Sequence, residues 1–195
     1  MEEKFLPRSY NNSEFHKIVC PGQDLSDKEF TDCQFSKCDF SGSKFTGSSF
    51  VDCSFINCNL SNIRVNECSL QGVKFESCKL VGVIFTKINP LLMSWSFNNC
   101  QIMLCDFSKL EIKNSIFTNC EIKETDFINT NLNGANFSKS NFSGSKFENT
   151  NLEKANFSGA KEFYINPVNN KLKQANFSYP EALLLLEAFN IKIEY

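Results

Sequence analysis

Histidine is nearly absent from this chain: His16 is the only one in 195 residues. A single imidazole cannot build a His-rich metal site, and it leaves the many serines and cysteines without a catalytic base. The sequence also lacks a glycine-rich phosphate loop, a Gly-x-Ser-x-Gly elbow and a His-Glu-x-x-His pair. Beside Phe15, His16 reads as a surface residue. No run of 18 apolar residues is present, and the opening Met1-Glu2-Glu3-Lys4 is acidic with no apolar stretch behind it. A cytoplasmic protein with no membrane span is expected. Formal charge is nearly balanced, 20 basic against 22 acidic residues, so no polyanion-binding patch is indicated. These absences exclude most enzymes, and no catalytic residue, cofactor or metal is assigned.

What the chain has is phenylalanine, 21 residues of it, spaced by five. Starting at Phe30, each fifth residue through Phe35, Phe40, Phe45, Phe50, Phe55 and Leu60 to Phe85 is large and apolar. Past Pro90 the count resumes two residues out of phase, from Phe97, Ile102 and Phe107 to Phe157. All the phenylalanines except Phe5, Phe163 and Phe189 fall on these tracks or their extensions. A period of five fits neither helix nor strand and marks a repeat architecture. The residue two before each centre is nearly always small or thiol-bearing, and the other three are mostly polar. Each repeat therefore turns one large and one small side chain inward. In a solenoid such units bury their apolar pair only against neighbouring coils.

Ten cysteines would ordinarily call for a redox or metal reading. Nine occupy the small inward position and Cys20 falls on an extrapolated centre, so packing is the favoured role. With twenty residues per coil, Cys38, Cys58 and Cys78 should share one column and Cys33 and Cys53 another. The abundant Ser, Asn, Asp and Gly suit tight turns between faces.

Segments such as Ala135-Asn136-Phe137-Ser138 and Ala155-Asn156-Phe157-Ser158-Gly159 resemble the pentapeptide-repeat family. The resemblance covers residues 13 to 178. It implies an all-β solenoid, a right-handed quadrilateral β-helix with one repeat per face and four per coil. At strand spacing, about seven coils would make a rod of ~35 Å.

Two segments break the count. Residues 87–96, holding Pro90 and the single Trp95, add two residues; they read either as an interior-filling bulge or kink dividing two stacks, or as an exposed partner contact through Trp95. Residues 160–171 form the second interruption. The repeat domain thus spans 1–178, and 179–195 form a C-terminal helix and tail. Ser178-Tyr179-Pro180-Glu181 reads as a capping box, followed by an α-helix apolar nearly all round. Such a helix needs burial on more than one side, which points to a homodimer through Pro180, Leu183, Leu184, Leu185, Leu186, Phe189 and Ile191.

That ending, Ser178, Glu181, Ala182 and Leu183 to Leu186, resembles the C-terminus of the Qnr-type group. The group's properties imply a DNA-mimicking partner of DNA gyrase or topoisomerase IV, able to confer quinolone or toxin resistance, with no direct nucleic-acid or membrane contact. A structural or interaction scaffold without a topoisomerase target is the alternative reading. Candidate partner-binding residues are Asp32, Asp39, Asp52, Asp106, Glu121, Glu124, Asp126 and Trp95. Face by face, no side of the rod sums to strong acidity; the one carrying Phe30, Phe50 and Leu70 is the most acidic. No long loop interrupts the repeats from Phe30 to Leu60.

Overall fold

The computed structural model describes residues 5–90 and 93–192. Met1 to Lys4, Leu91 and Leu92 in the interrupted segment, and Ile193 to Tyr195 in the tail lie outside the described residues. The chain winds as a parallel β-solenoid with four flat faces, as expected for a quadrilateral β-helix. Short strands pair in register with the strand twenty residues on, as Tyr10 with Phe30, Phe30 with Phe50 and Phe50 with Leu70. Side chains twenty apart therefore stand in columns. The residue two after each repeat centre turns the corner with positive φ, as at Asp32, Lys37, Asp52 and Asn57. This left-handed geometry is why Asn, Asp and Gly crowd that position.

One face carries an unbroken column of nine phenylalanines: Phe15, Phe35, Phe55, Phe75, Phe97, Phe117, Phe137, Phe157 and Phe177. Neighbouring rings lie near-parallel, with centroids 4.7 to 5.4 Å apart. Their near-constant spacing is the coil pitch of the rod. Phe5 covers the N-terminal end, with its ring 5.1 Å from Phe15 and 5.8 Å from Tyr10.

The two-residue slip does not divide the solenoid. Phe75 stacks on Phe97 at 4.7 Å and 5°, and Leu80 pairs with Ile102 in register. Asn89 still donates to the Cys68 carbonyl, 21 residues back, whereas Ser96 reaches Val73, 23 back. The extra residues therefore sit on one face between Asn89 and Ser96, and the other faces close above them. In the second interruption Phe163 and Ile165 turn inward while Glu162 stays outside; Leu172 and Phe177 restore the phase.

The small inward position does more than save space. In most repeats with a thiol or hydroxyl there, that group reaches the backbone carbonyl of the centre 23 residues earlier, at the inner side of a corner; Cys68 instead lies 3.8 Å from the Ser69 carbonyl. Cys53 donates to Phe30, Cys58 to Phe35 and Cys120 to Phe97, at 3.4 to 3.5 Å. Ser48 donates to Leu25, Thr130 to Phe107, Ser140 to Phe117 and Thr150 to Phe127, at 2.6 to 2.9 Å. Asn170 does the same for Phe147 at 2.8 Å. Buried carbonyls left unpaired are costly, so Cys, Ser and Thr are favoured over Ala. Ser115 is one of two buried donors without a partner among the described residues; its counterpart in this register, residue 92, lies outside them.

Where the large side chains shorten to Leu60, Val65 and Leu70, an apolar cavity of about 20 Å³ remains, also lined by Phe45, Ile63 and Phe85. A lining without polar groups keeps it dry. Val65→Ile is expected to fill it and raise stability by about 0.5–1 kcal/mol, read as a higher urea midpoint; a lower midpoint would mean that the space is already taken up by packing.

Candidate binding surfaces

Trp95 lies inside the rod. It is 2% exposed, its ring packs 5.4 Å from Phe85, and its indole N–H donates to the Leu70 carbonyl at 2.8 Å. Leu70 lies 25 residues back, the normal 23 plus the two inserted residues. Trp95 thus occupies a small-residue position and performs the donor role of a thiol across the enlarged coil. Its assignment as an exposed partner contact is corrected: the bulge fills the interior.

The seven candidate carboxylates are not brought together. Asp32 and Asp52 occupy adjacent rungs of one corner column, on the face of Phe30 and Phe50. Asp39 and Glu121 share a column on the opposite face, separated by Asn59, Lys79 and Gln101. Asp106 and Asp126 are neighbours in a third column that also holds Ile84 and Lys146, and Glu124 turns the corner beside it. Lysines temper the last two groups: Lys123 lies 3.1 Å from Glu121, and Lys146 lies 3.9 Å from Asp126. The rod carries separate acidic patches and no continuous acidic stripe.

Two of these carboxylates, Asp39 and Asp106, hold the backbone. Partial burial alone would raise the pKa of Asp39, but the Ser41 N–H, the Ser41 hydroxyl and Asn59 together hold it below the ordinary carboxylate value. The Ser41 N–H lies 2.9 Å from Asp39 Oδ1. One coil on, the amide oxygen of Asn59 receives the Ser61 N–H in the same way at 3.2 Å. A depressed carboxyl pKa gives stability that is complete above the unfolded value and is lost as pH falls through the folded value. Asp39→Asn is therefore expected to lower the urea midpoint at about pH 7 and to lessen the further fall on going to about pH 3. An unaltered acid limb would show that Asp39 makes no such contribution.

The nine cysteines from Cys33 to Cys120 are buried free thiols, and Cys20 is half-buried. The column begun by Cys38, Cys58 and Cys78 continues through Cys100 and Cys120, with each thiol in contact with the next. The backbone N–H groups of Cys38 and Cys58 each lie 3.4 Å from the sulfur one coil above. Hydrogen bonding to Cys58 and then burial push the Cys38 thiol up; contact with Cys100 does the same to Cys78 and Cys120. Burial pushes Cys53 and Cys68 up to about 12 and Cys105 to about 11. Raised, buried thiols are poor nucleophiles. Among the described residues no cluster of three or more His, Cys, Asp or Glu could hold a metal ion.

At the C-terminal end the capping box does not form. The Ser178 hydroxyl accepts the Gly159 N–H at 2.8 Å, closing the last coil, and Pro180 caps the helix without a side-chain hydrogen bond. With no side chain free to hold a first α turn, residues Glu181–Phe189 form a 3₁₀ helix rather than the α-helix expected. Three residues per turn align Leu183, Leu186 and Phe189 on one edge. Leu184 and Leu185 pack on the core, while Phe189 is 51% and Ile191 56% exposed. Among the described residues no helix is long and apolar enough to cross a membrane.

Two sequence profiles match. One, a pentapeptide repeat region, covers residues 28–90, and the other, pentapeptide repeats in eight copies, covers 120–159. The chain belongs to the pentapeptide-repeat family. Among solved structures, this repeat protein is similar to full-length QnrB1, a plasmid-mediated fluoroquinolone resistance protein, with TM-score 0.57 and 17% identity over 91% of this chain and 100% of that one. Trypsin-treated QnrB1 gives TM-score 0.56 and 19% identity over 95% and 100%. At these identities the likeness shows a shared fold. A comparison with curated proteins finds no match.

Proposed function

We propose that this pentapeptide-repeat protein is a non-catalytic binding rod that engages a type II topoisomerase, DNA gyrase or topoisomerase IV, and modulates it. One observation carries the reading: the rod corresponds in fold to QnrB1, a fluoroquinolone resistance protein, along the whole of that chain. A narrow, regular β-helix suits a groove built for duplex DNA. The working unit is a homodimer joined at the C-terminal ends, where exposed Phe189 and Ile191, with half-buried Leu183 and Leu186 on the same edge, supply an apolar surface.

The charge distribution favours a second reading, an interaction scaffold without a topoisomerase target. Duplex DNA carries one negative charge about every 1.7 Å, and the acidic side chains here lie in separate patches interrupted by lysines. A supercoiling assay with purified gyrase, with and without ciprofloxacin, separates the two. Inhibition or rescue from drug-stabilised cleavage supports the topoisomerase reading, and no effect at micromolar protein supports the scaffold. For the dimer, Phe189→Glu is expected to halve the solution mass with the fold intact, because Phe189 is exposed whereas Leu184 and Leu185 also cap the core. An unchanged mass would refute the end-to-end interface.

A further inference from the structure

The face centred on Leu25, Phe45, Val65, Phe85, Phe107, Phe127 and Phe147 lies round a corner from the two-residue bulge and runs without interruption. Ile84 pairs with Asp106 in register, and Phe85 stacks on Phe107 at 4.6 Å. The residue directly before each centre forms one outward column: Asp24, Lys44, Arg64, Ile84, Asp106, Asp126 and Lys146. Read along the rod, the column is acid, base, base, apolar, acid, acid, base, so the signs invert about Ile84. Within one chain this order sets Lys44 beside Arg64 and Asp106 beside Asp126 on neighbouring rungs. Asp24 lies 3.6 Å from Lys44, and Lys146 lies 3.9 Å from Asp126. Arg64 and Asp106 have no ion pair among the described residues, although Asp106 Oδ1 accepts the Ser108 N–H at 2.9 Å. Ile84 is 53% exposed, and Leu104 is exposed at the corner one rung on.

Turning a second copy by 180° about an axis lying across this face at Ile84 reverses the rod direction and keeps each column opposite itself. Ile84 then meets its own copy, Arg64 meets Asp106, Lys44 meets Asp126 and Asp24 meets Lys146. Each charged pairing occurs twice, as a twofold interface requires. The following corner column adds Glu67 against Lys109, both exposed and without ion pairs among the described residues. The remaining acids face neutral groups: Asp27 meets Asn149, Glu124 meets Gly42 and Glu148 meets Ser26. Lys87, exposed in the turn after Phe85, alone faces its own copy, at an edge where solvent screens the repulsion. A slip of one rung brings Lys44 to Lys146 in one direction and Asp24 to Asp126 in the other. A parallel arrangement sets like rungs, and so like charges, side by side.

We propose that this face is a self-complementary lateral interface, on which a second copy of the chain packs antiparallel with Ile84 on Ile84, flanked by Arg64–Asp106 and Lys44–Asp126 pairs. Seven rungs span about 30 Å and three extended residues cross the face in about 10 Å, so about 300 Å² per partner is shared. That is less than half of a standard interface, so the contact is weak and salt-sensitive. It is separate from the C-terminal end, needs no topoisomerase, and links rods side by side.

A zero-length carbodiimide tests the register. It activates a carboxylate, which a touching lysine amine attacks to form an amide, and the water lost is taken up by the carbodiimide as a urea. Within one chain Lys44 and Asp126 are four coils apart, about 19 Å, and Asp24 and Lys146 are six apart, about 29 Å, so an amide in either pair joins two molecules. Mass spectrometry of the crosslinked dimer of the full chain, formed in about 20 mM salt, is expected to show both amides, with yield falling about tenfold in about 0.5 M salt. Arg64→Asp should lose both amides, and Arg64→Asp combined with Asp106→Arg should restore them, with the reporting residues unchanged. Both exchanges suit the fold, since this column already carries lysine, arginine and aspartate at the same outward position. Phe189→Glu should leave the amides in place. Monomer alone, amides between chains that omit both pairs, a yield indifferent to salt or a double variant no better than Arg64→Asp would each overturn the proposal.

Discussion

Trp95→Ala is expected to destabilise the protein by about 3–5 kcal/mol. Two losses combine: the largest side chain of the core leaves a cavity between Phe85 and Phe97, and the Leu70 carbonyl loses its donor. Trp95→Phe separates them. It retains most of the apolar volume and leaves the carbonyl unpaired, at an expected cost of about 1–3 kcal/mol. Urea unfolding followed by far-ultraviolet circular dichroism reads both variants, since the only indole is the one removed. If Trp95→Phe matches the wild type, the 2.8 Å hydrogen bond contributes nothing and the indole is only filler.

Phe97→Ala is expected to lose a similar amount, about 3–5 kcal/mol, for a different reason. Phe97 bridges the junction, stacked on Phe75 at 4.7 Å and under Phe117 at 4.8 Å, so its removal breaks two ring contacts where the coil is enlarged. The same exchange at Phe177, a half-buried terminal ring stacked only on Phe157 within the column, should cost about 1–2 kcal/mol. In a solenoid the loss at a site depends on its immediate neighbours. Equal losses at Phe97 and Phe177 would contradict that nearest-neighbour account.

The five-residue spacing of Phe30 to Phe85 and Phe97 to Phe157 was sufficient to read the coil, the columns and the inward cysteines, because each inward pair is fixed by local repetition. The thiol column was read only through Cys78: Cys100 and Cys120 belong to the other phase, and they align only once the two extra residues are known to close within one coil. The donor role of Cys, Ser and Thr was open to sequence reading in principle, since Ala would satisfy size alone, yet the acceptor lies a full coil and a corner away. Trp95 could be read as interior filler or exposed contact because no other small position from Cys33 to Ala155 holds an aromatic side chain, Ile63 and Leu110 being the bulkiest there. Ser178 was misread as a cap because its competing partner, the Gly159 N–H, belongs to the coil beneath. The carboxylates could be assigned to faces from the count, but the lysines that temper them are set by side-chain reach.

The two inserted residues also show how far a disturbance travels. Trp95, Cys100 and Cys105 donate to carbonyls 25 residues back, and by Cys120 the separation is 23 again. The chain has a memory of one turn. Nothing above the junction registers that the coil below was long, so whole coils could be added or removed in units of twenty residues with the remaining rungs unaffected. Length in this molecule is a setting independent of stability at any one rung.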